Sequence, residues 1–381
     1  MQLILHDGLH FTVQRKANIV IIKHLSAKTA LLFPLAAELH SVMTSTQLLD
    51  RRFTLAPMME WSTSDCRTFW RLLTQKAVLY SEMVTTGALL HGDKSRFLDY
   101  NACEHPLALQ LGGSDPISLA ECARIAEDWG YDEVNLNCGC PSDRVQNGMI
   151  GACLMAEPEL VADCIASMQK AVKIPVTVKH RIGIDDMEDY EGLVKFVQTI
   201  AETGCNTFIV HARKAWLKGL SPKENREVPP LQYDKVYQLK QDFPHLNILI
   251  NGGITTLEQT QNLLNHVDGV MIGREAYSNP YFLAQVDQLI YGIDKPVVSR
   301  NEVMQKFMIY CEEQLSKGAR LNHLTRHILG LYQGLPGARQ FRRVISEQAH
   351  KPDAGIEVLE RALATVNELP LANQVEVGTT Y

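Results

Sequence analysis

The segment Asn137-Cys138-Gly139-Cys140-Pro141-Ser142, with Gly148 and Gly151 just beyond it, puts two thiols on a bent, glycine-rich stretch that follows a short apolar run. Such a loop can approach a ligand closely. A Cys-x-Cys pair with no second paired cluster is a poor zinc signature, so no metal is expected. Cys140 is read instead as an acid or nucleophile on a catalytic loop, against the plainer alternative of an inert buried thiol. Lys179 and His211 each end another apolar run, and a lysine at the inward end of a strand is rarely there for packing. A carboxylate such as Glu82 could account for one of the two as a structural pair. The sharper reading sets both against an electron-rich cofactor, Lys179 beside a reducible ring and His211 near ring or phosphate oxygens. Asn251-Gly252-Gly253 and Gly273-Arg274 close two further runs, where backbone N–H groups and a guanidinium suit a phosphate.

The elements that must carry these residues are eight β-branched-rich runs alternating with helix-period segments. They are Phe53 to Ala56, Ala77 to Ser81, Leu107 to Leu111, Glu133 to Asn137, Val176 to Lys179, Thr207 to His211, Asn247 to Asn251 and Gly269 to Ile272. Between them lie helix starts at Ser114-Asp115 before Pro116, Glu157 before Pro158, Thr255 before Glu258 and Asn279 before Pro280. Eight βα units predict a closed (β/α)8 TIM barrel over residues 46–295, about the ~250 residues that fold takes. Pro57, Met58, Met59, Gln110, Asn137 and the residues above then all surround the C-terminal mouth, where such barrels carry their chemistry.

Beyond residue 296 the strand signal stops, and Val303 to Leu315 and Leu321 to Leu331 read as amphipathic helices of an all-helical domain, 296–371. Residues 372–381 read as a frayed tail. Residues 1–45 show a few alternating apolar positions near Asn18 to Ile22 but no capped element, and are read as a poorly ordered appendage. Met43 could open a shorter protein, with residues 1–42 as leader. The apolar run Thr29 to Ala37 follows three lysines like a signal peptide, but Pro34 and the lack of a small-residue cleavage pattern argue against that. No stretch reaches the ~20 apolar residues of a membrane span. Nine irregularly spaced cysteines fit reduced thiols in a cytoplasmic enzyme, and a monomer is expected.

With 381 residues and a formal charge of -6, a polyanion-binding protein must gather its cations locally. From Gln314 to Lys351 there are seven, Lys317, Arg320, Arg326, Arg339, Arg342, Arg343 and Lys351, against one carboxylate, Glu347. Arg339, Arg342 and Arg343 share one helical face, opposite Phe341, Val344 and Ile345. A solvated surface is the bland reading; in an acidic chain the local excess favours phosphate contact.

Ala56-Pro57-Met58-Met59, Gln110-Leu111-Gly112-Gly113, Asn135-Leu136-Asn137-Cys138-Gly139-Cys140-Pro141, Val178-Lys179-His180-Arg181, Val210-His211-Ala212-Arg213, Asn251-Gly252-Gly253-Ile254 and Ile272-Gly273-Arg274 together resemble the tRNA-dihydrouridine synthases. The resemblance runs from about Phe53 to the end of the helical segment. It implies FMN as tightly bound cofactor and NADPH as its reductant, with Pro57, Met58, Met59, Gln110, Lys179, His211, Asn251, Gly252, Gly253, Gly273 and Arg274 around the flavin and Cys140 as proton donor. The insert from Trp216 to Arg226 resembles the synthase A subgroup, which acts at positions 20 and 20a of the D-loop; Asn225 and Arg226 within it are expected at the RNA.

The implied chemistry is sound. The C5=C6 bond of uracil is conjugated to a carbonyl, so hydride adds at C6 while an acid protonates C5. A thiol whose ordinary pKa is near 8.5 is mostly protonated at neutral pH and suits that task. Asn137 and Arg213 are expected to hold the uracil edge, and the base must be extruded from folded RNA at a cost of a few kcal/mol. Two rivals remain: an FMN barrel acting on a free pyrimidine, as in dihydroorotate oxidation, and a tRNA-binding chaperone that has lost catalysis. The basic helical segment argues against the first and the complete set of mouth residues against the second.

Overall fold

The computed structural model describes residues 49–142, 148–187 and 189–366, together with three N-terminal strands. Met43 and the tail 372–381 lie outside the described residues. The chain divides into two compact units, Met1–Leu48 and Leu49–Tyr381. In the first, strands β1 (Gln2–Ile4), β2 (His10–Lys16) and β3 (Ile19–Lys23) form an antiparallel sheet with β2 in the middle. The weak alternation near Asn18 belongs to that sheet, an element the sequence reading did not expect.

In the second unit the strands are β4 (Phe53–Leu55), β5 (Val78–Thr85), β6 (Leu107–Gly112), β7 (Glu133–Cys138), β8 (Val176–Arg181), β9 (Thr207–His211), β10 (Asn247–Asn251) and β11 (Gly269–Ile272). They pair in parallel in chain order, and β11 pairs back onto β4 through Val270↔Phe53, Met271↔Thr54 and Ile272↔Leu55, which closes the barrel. All eight expected runs are strands of this barrel. Helices between the strands begin at or within one residue of the sequence signals, the one after β10 being capped by Thr256 where Thr255 was expected. Asp115 caps Pro116–Trp129 and Thr256 caps Leu257–Leu263, each side chain accepting a free backbone N–H, and Pro158 stands in the first turn of Pro158–Ala171. After Asn279 the chain forms a 3-10 turn, Pro280–Gln285, instead of an α-helix.

Two apolar layers follow from strand alternation. Inside the barrel Ala56, Val78, Tyr80, Ala108, Ile209, Leu249 and Met271 pack together; outside, the other strand face packs against the helices. The interior is not apolar throughout, since Gln110, Glu133, Asn135, Asn137 and Thr177 are buried there. Beyond the barrel come helices Arg300–Ser316, Leu321–Thr325, Ala338–Gln348 and Glu357–Leu363. The first starts at a Ser299/Glu302 capping box and meets the barrel helix Ser64–Leu73, with the Phe69 and Phe307 rings 5.4 Å apart. Among the described residues no helix is long and apolar enough to cross a membrane, and no group of three or more His, Cys, Asp or Glu could hold a metal ion.

Candidate active site

The Cys140 loop is built on the last inward residue of β7. Asn137 Oδ1 accepts the backbone N–H groups of Gly139, at 3.0 Å, and Cys140, at 2.9 Å, turning the chain sharply out of the strand. Its Nδ2 donates to Gln110 Oε1 at 2.8 Å. Further on, Gly151 adopts φ +84°, and a Cβ there would lie 2.4 Å from the Cys140 carbonyl oxygen, which accepts the N–H of Ala152. Glycine is therefore required for the loop to close over Cys140. The two thiols differ: Cys140 is half-buried, whereas Cys138 is fully buried and burial pushes its thiol well above the usual value. Only Cys140 of the pair is placed for chemistry with a ligand.

Around it stands a group of cations with few carboxylates. Lys179 Nζ donates to Asn251 Oδ1 at 3.2 Å, and Asn251 is fixed in that sense because its Nδ2 donates to the Met271 carbonyl at 2.8 Å. Among the described residues Lys179 forms no ion pair; Glu82 instead accepts the backbone N–H of Glu60. Burial, then the charge of Arg181, pushes Lys179 down to about 7, with a Cys140 charge acting in opposition. His211 is held well below the ordinary imidazole value by burial and by Arg181, Lys179, Arg213 and Arg226, so it is neutral. Arg181 is buried without a carboxylate: Nε donates to Gly139 O at 2.8 Å, and Nη1 to Lys214 O and Asn225 O at 3.0 Å each. Burial brings it down to about 10. Like charges gathered this closely cost stability in the absence of an anion.

The remaining residues complete the floor and rim. Gly252 and Gly253 follow β10 with φ +115° and +69°, and a Cβ on Gly252 would lie 2.7 Å from the His211 ring. Gly273, after β11, has Ala56 Cβ and Met58 Sδ 3.5 Å from where its own Cβ would be. Met58 is anchored by its backbone N–H on Ser62 Oγ at 2.9 Å, Pro57 is half-buried and Met59 is exposed. Arg274 is exposed and pairs with Glu227 at 2.7 Å. Arg226 is near enough to both Arg274 and Cys140 for their charges to bear on it.

Some expected residues are engaged otherwise. Asn225 is fully buried: Oδ1 accepts Trp216 N at 2.8 Å and Nδ2 donates to the carbonyls of Trp216, at 2.9 Å, and Leu220, at 3.1 Å. Its side chain ties the insert together, because an exposed RNA contact would leave those groups unpaired. Arg213 bonds the carbonyls of Glu227 and Pro229, holding the far end of the insert. Arg339, Arg342 and Arg343 are exposed on helix Ala338–Gln348, beyond the barrel in the chain. The sequence reading missed Arg181 as the tie between the Cys140 loop and the insert; its signal was a second cation at the inward spacing Lys179-x-Arg181.

A model of the dihydrouridine synthase family matches residues 54–367. The chain belongs to this family. A tRNA-dihydrouridine(20/20a) synthase of Shewanella oneidensis is 63% identical over 318 residues, covering 84% of this chain and 95% of the relative. Proteins of the same name from Vibrio cholerae and Salmonella typhimurium are 60% and 58% identical, over 83% and 84% of this chain and 96% and 97% of theirs. Dihydrouridine synthases are flavin-dependent enzymes. The mouth of this family member fits such a group. Its glycine turns after β10 and β11 bring backbone to the strand ends where a side chain would not fit at Gly252, and Lys179 offers a half-buried cation with no ion-pair partner among the described residues.

Proposed function

We propose that this dihydrouridine synthase reduces the C5=C6 bond of uridines 20 and 20a in the D-loop of tRNA, using FMN and drawing electrons from NADPH. The observation that carries the reading is the half-buried Cys140 thiol, held over the barrel mouth by Asn137 beside a cation-rich floor. Pro57, Met58, Met59, Gln110, Lys179, His211, Asn251, Gly252, Gly253, Gly273 and Arg274 would hold FMN, which when bound supplies the hydride. Lys179 balances negative charge on the ring, and neutral His211 lies against the Gly252 turn. Cys140 delivers the proton to C5 from the opposite face of the uracil. Asn137 acts chiefly through the loop it anchors, and Arg213 and Arg226 line the approach of the extruded base. The position within tRNA rests on the names of the relatives.

Residues 46–295 then act as the catalytic barrel and 296–371 as the tRNA-binding helices, with Arg339, Arg342 and Arg343 toward phosphate. All nine cysteines are free thiols, which suits the reducing cytoplasm where tRNA is matured. Mapping dihydrouridine in tRNA from cells with and without the gene tests the reading. Loss confined to positions 20 and 20a is expected. Unchanged tRNA, together with turnover of free orotate or dihydroorotate by the purified protein, would replace tRNA with a free pyrimidine as substrate.

A further inference from the structure

A single file of side-chain hydrogen bonds runs through the barrel interior from its base to the Cys140 loop. Asn137 Nδ2 donates to Gln110 Oε1, and Gln110 Nε2 donates to Asn135 Oδ1, both at 2.8 Å. Asn135 Nδ2 donates to Thr177 Oγ1 at 2.8 Å, and the Thr177 hydroxyl donates to Glu133 Oε1 at 2.6 Å. Strand register makes this possible: Gln110, Asn135 and Thr177 are direct neighbours across β6, β7 and β8. Glu133, Asn135 and Asn137 are alternate inward residues of β7. Every member is buried.

The file has one sense, and its lower end dictates that sense. Glu133 is fully buried and paired with Arg51, whose Nε donates to Oε2 at 2.7 Å, and its other oxygen also receives the Tyr80 hydroxyl at 2.5 Å. A carboxylate engaged in this way only accepts, so Thr177 must donate downward and can only receive from above. Asn135 must then point its NH2 down and its carbonyl up, Gln110 likewise, and Asn137 likewise. At the top, Asn137 therefore presents Oδ1 to the N–H groups of Gly139 and Cys140. A flipped Asn137 would set its NH2 against those donors and release the loop.

We propose that Glu133, acting through Thr177, Asn135 and Gln110, is a positioning residue that sets the orientation of the Asn137 carboxamide and thereby the place of Cys140. This inference rests on the reading of Cys140 as proton donor for its functional meaning, but its geometric content can be tested without RNA.

Thr177→Val removes the hydroxyl at nearly constant shape and Thr177→Ser keeps it. The direct measurement is the alkylation rate of Cys140 by iodoacetamide in the flavin-loaded enzyme, resolved by peptide mass, with the exposed Cys103 as internal reference. Thr177→Val should change the Cys140 rate relative to Cys103 by roughly 5-fold or more, the scale of one hydrogen bond, and Thr177→Ser should restore it. Single-turnover oxidation by tRNA should fall by about the same factor in the valine variant, with tRNA affinity unchanged. Thr54→Val makes the same substitution at another buried barrel strand, where the hydroxyl donates to the Val270 carbonyl at 3.4 Å, and should leave Cys140 at the wild-type rate. Should Thr177→Val not fold, Asn135→Leu breaks the file one link higher with the same expectation. Wild-type Cys140 reactivity in the broken-file variant, or an equal change in Thr54→Val, overturns the proposal. An altered Cys140 rate in a protein that never acts on tRNA would uphold the file and overturn the assigned reaction instead.

Discussion

Replacing Cys140 by alanine leaves its loop intact, because the contacts that shape the loop are made by the Cys140 backbone with Asn137 and Ala152. On the proposed mechanism the loss is then confined to proton delivery. Cys140→Ala should keep flavin and tRNA affinity while slowing oxidation of the reduced enzyme by tRNA at least ~100-fold, the usual cost of losing a general acid. An unchanged single-turnover rate would remove the thiol from the chemistry, and loss of flavin would make its role structural. Lys179 makes a different kind of prediction, one of pH. Its ammonium is pushed to about 7 by burial and by Arg181, so an anion bound beside it must favour the charged form and raise that value. By linkage, proton uptake accompanies anion binding above that pH. FMN affinity should therefore be level below about pH 7 and fall as pH rises through it. Lys179→Ala should bind FMN more weakly and lose that slope. A slope that survives in the alanine variant would assign it to another group. Arg274→Ala should weaken retention less, since that guanidinium is exposed and already paired with Glu227.

At the scale of elements, the insert between β9 and the helix Tyr233–Asp242 depends on one buried amide. Asn225→Ala would strand the Trp216 N–H and the carbonyls that Asn225 now satisfies, a cost of about 1–3 kcal/mol. Lower stability in denaturant and faster proteolysis within residues 216–226 are expected, and a wild-type cleavage pattern would show that the insert is held by other interactions. Asn225 also marks where sequence reasoning stops. The eight strands were legible because their apolar runs end in polar groups or glycine, and parallel pairing then brings Lys179, His211, Asn251 and Gly273 to one end whatever the loops do. The direction of a loop asparagine is set by closure against Trp216 and Leu220, which local pattern does not carry. The polar alternation Glu133-x-Asn135-x-Asn137 stood in the sequence, but which side of β7 faced the barrel axis became plain only through its neighbours. The antiparallel sheet of β1, β2 and β3 was missed for a similar reason, since short strands without a strong turn signal are specified by their partners.

For the whole molecule the question is how a chain of formal charge -6 holds a polyanion. Phe341, Val344 and Ile345 are buried on one side of helix Ala338–Gln348, leaving Arg339, Arg342 and Arg343 exposed on the other. Arg343 shares its charge with Glu347 at 3.1 Å, an exposed pair of small energetic weight that RNA phosphate can displace. Among the described residues Arg339 and Arg342 have no such ion pair. Changing all three to alanine removes charge without touching the buried face, so the helix should keep its packing. If the stripe meets phosphate, tRNA affinity should fall and its salt dependence should flatten by a slope of roughly 0.7 to 0.9 for each phosphate no longer neutralised. Reduction of the flavin by NADPH should continue at the wild-type rate, because the barrel mouth lies on other elements. The measurement is tRNA affinity at several salt concentrations for wild type and the triple variant, with flavin reduction as the control. Equal slopes would make the stripe a solvated surface and move the search for phosphate-binding groups to Lys218, Lys223 and Arg226 of the insert, all exposed.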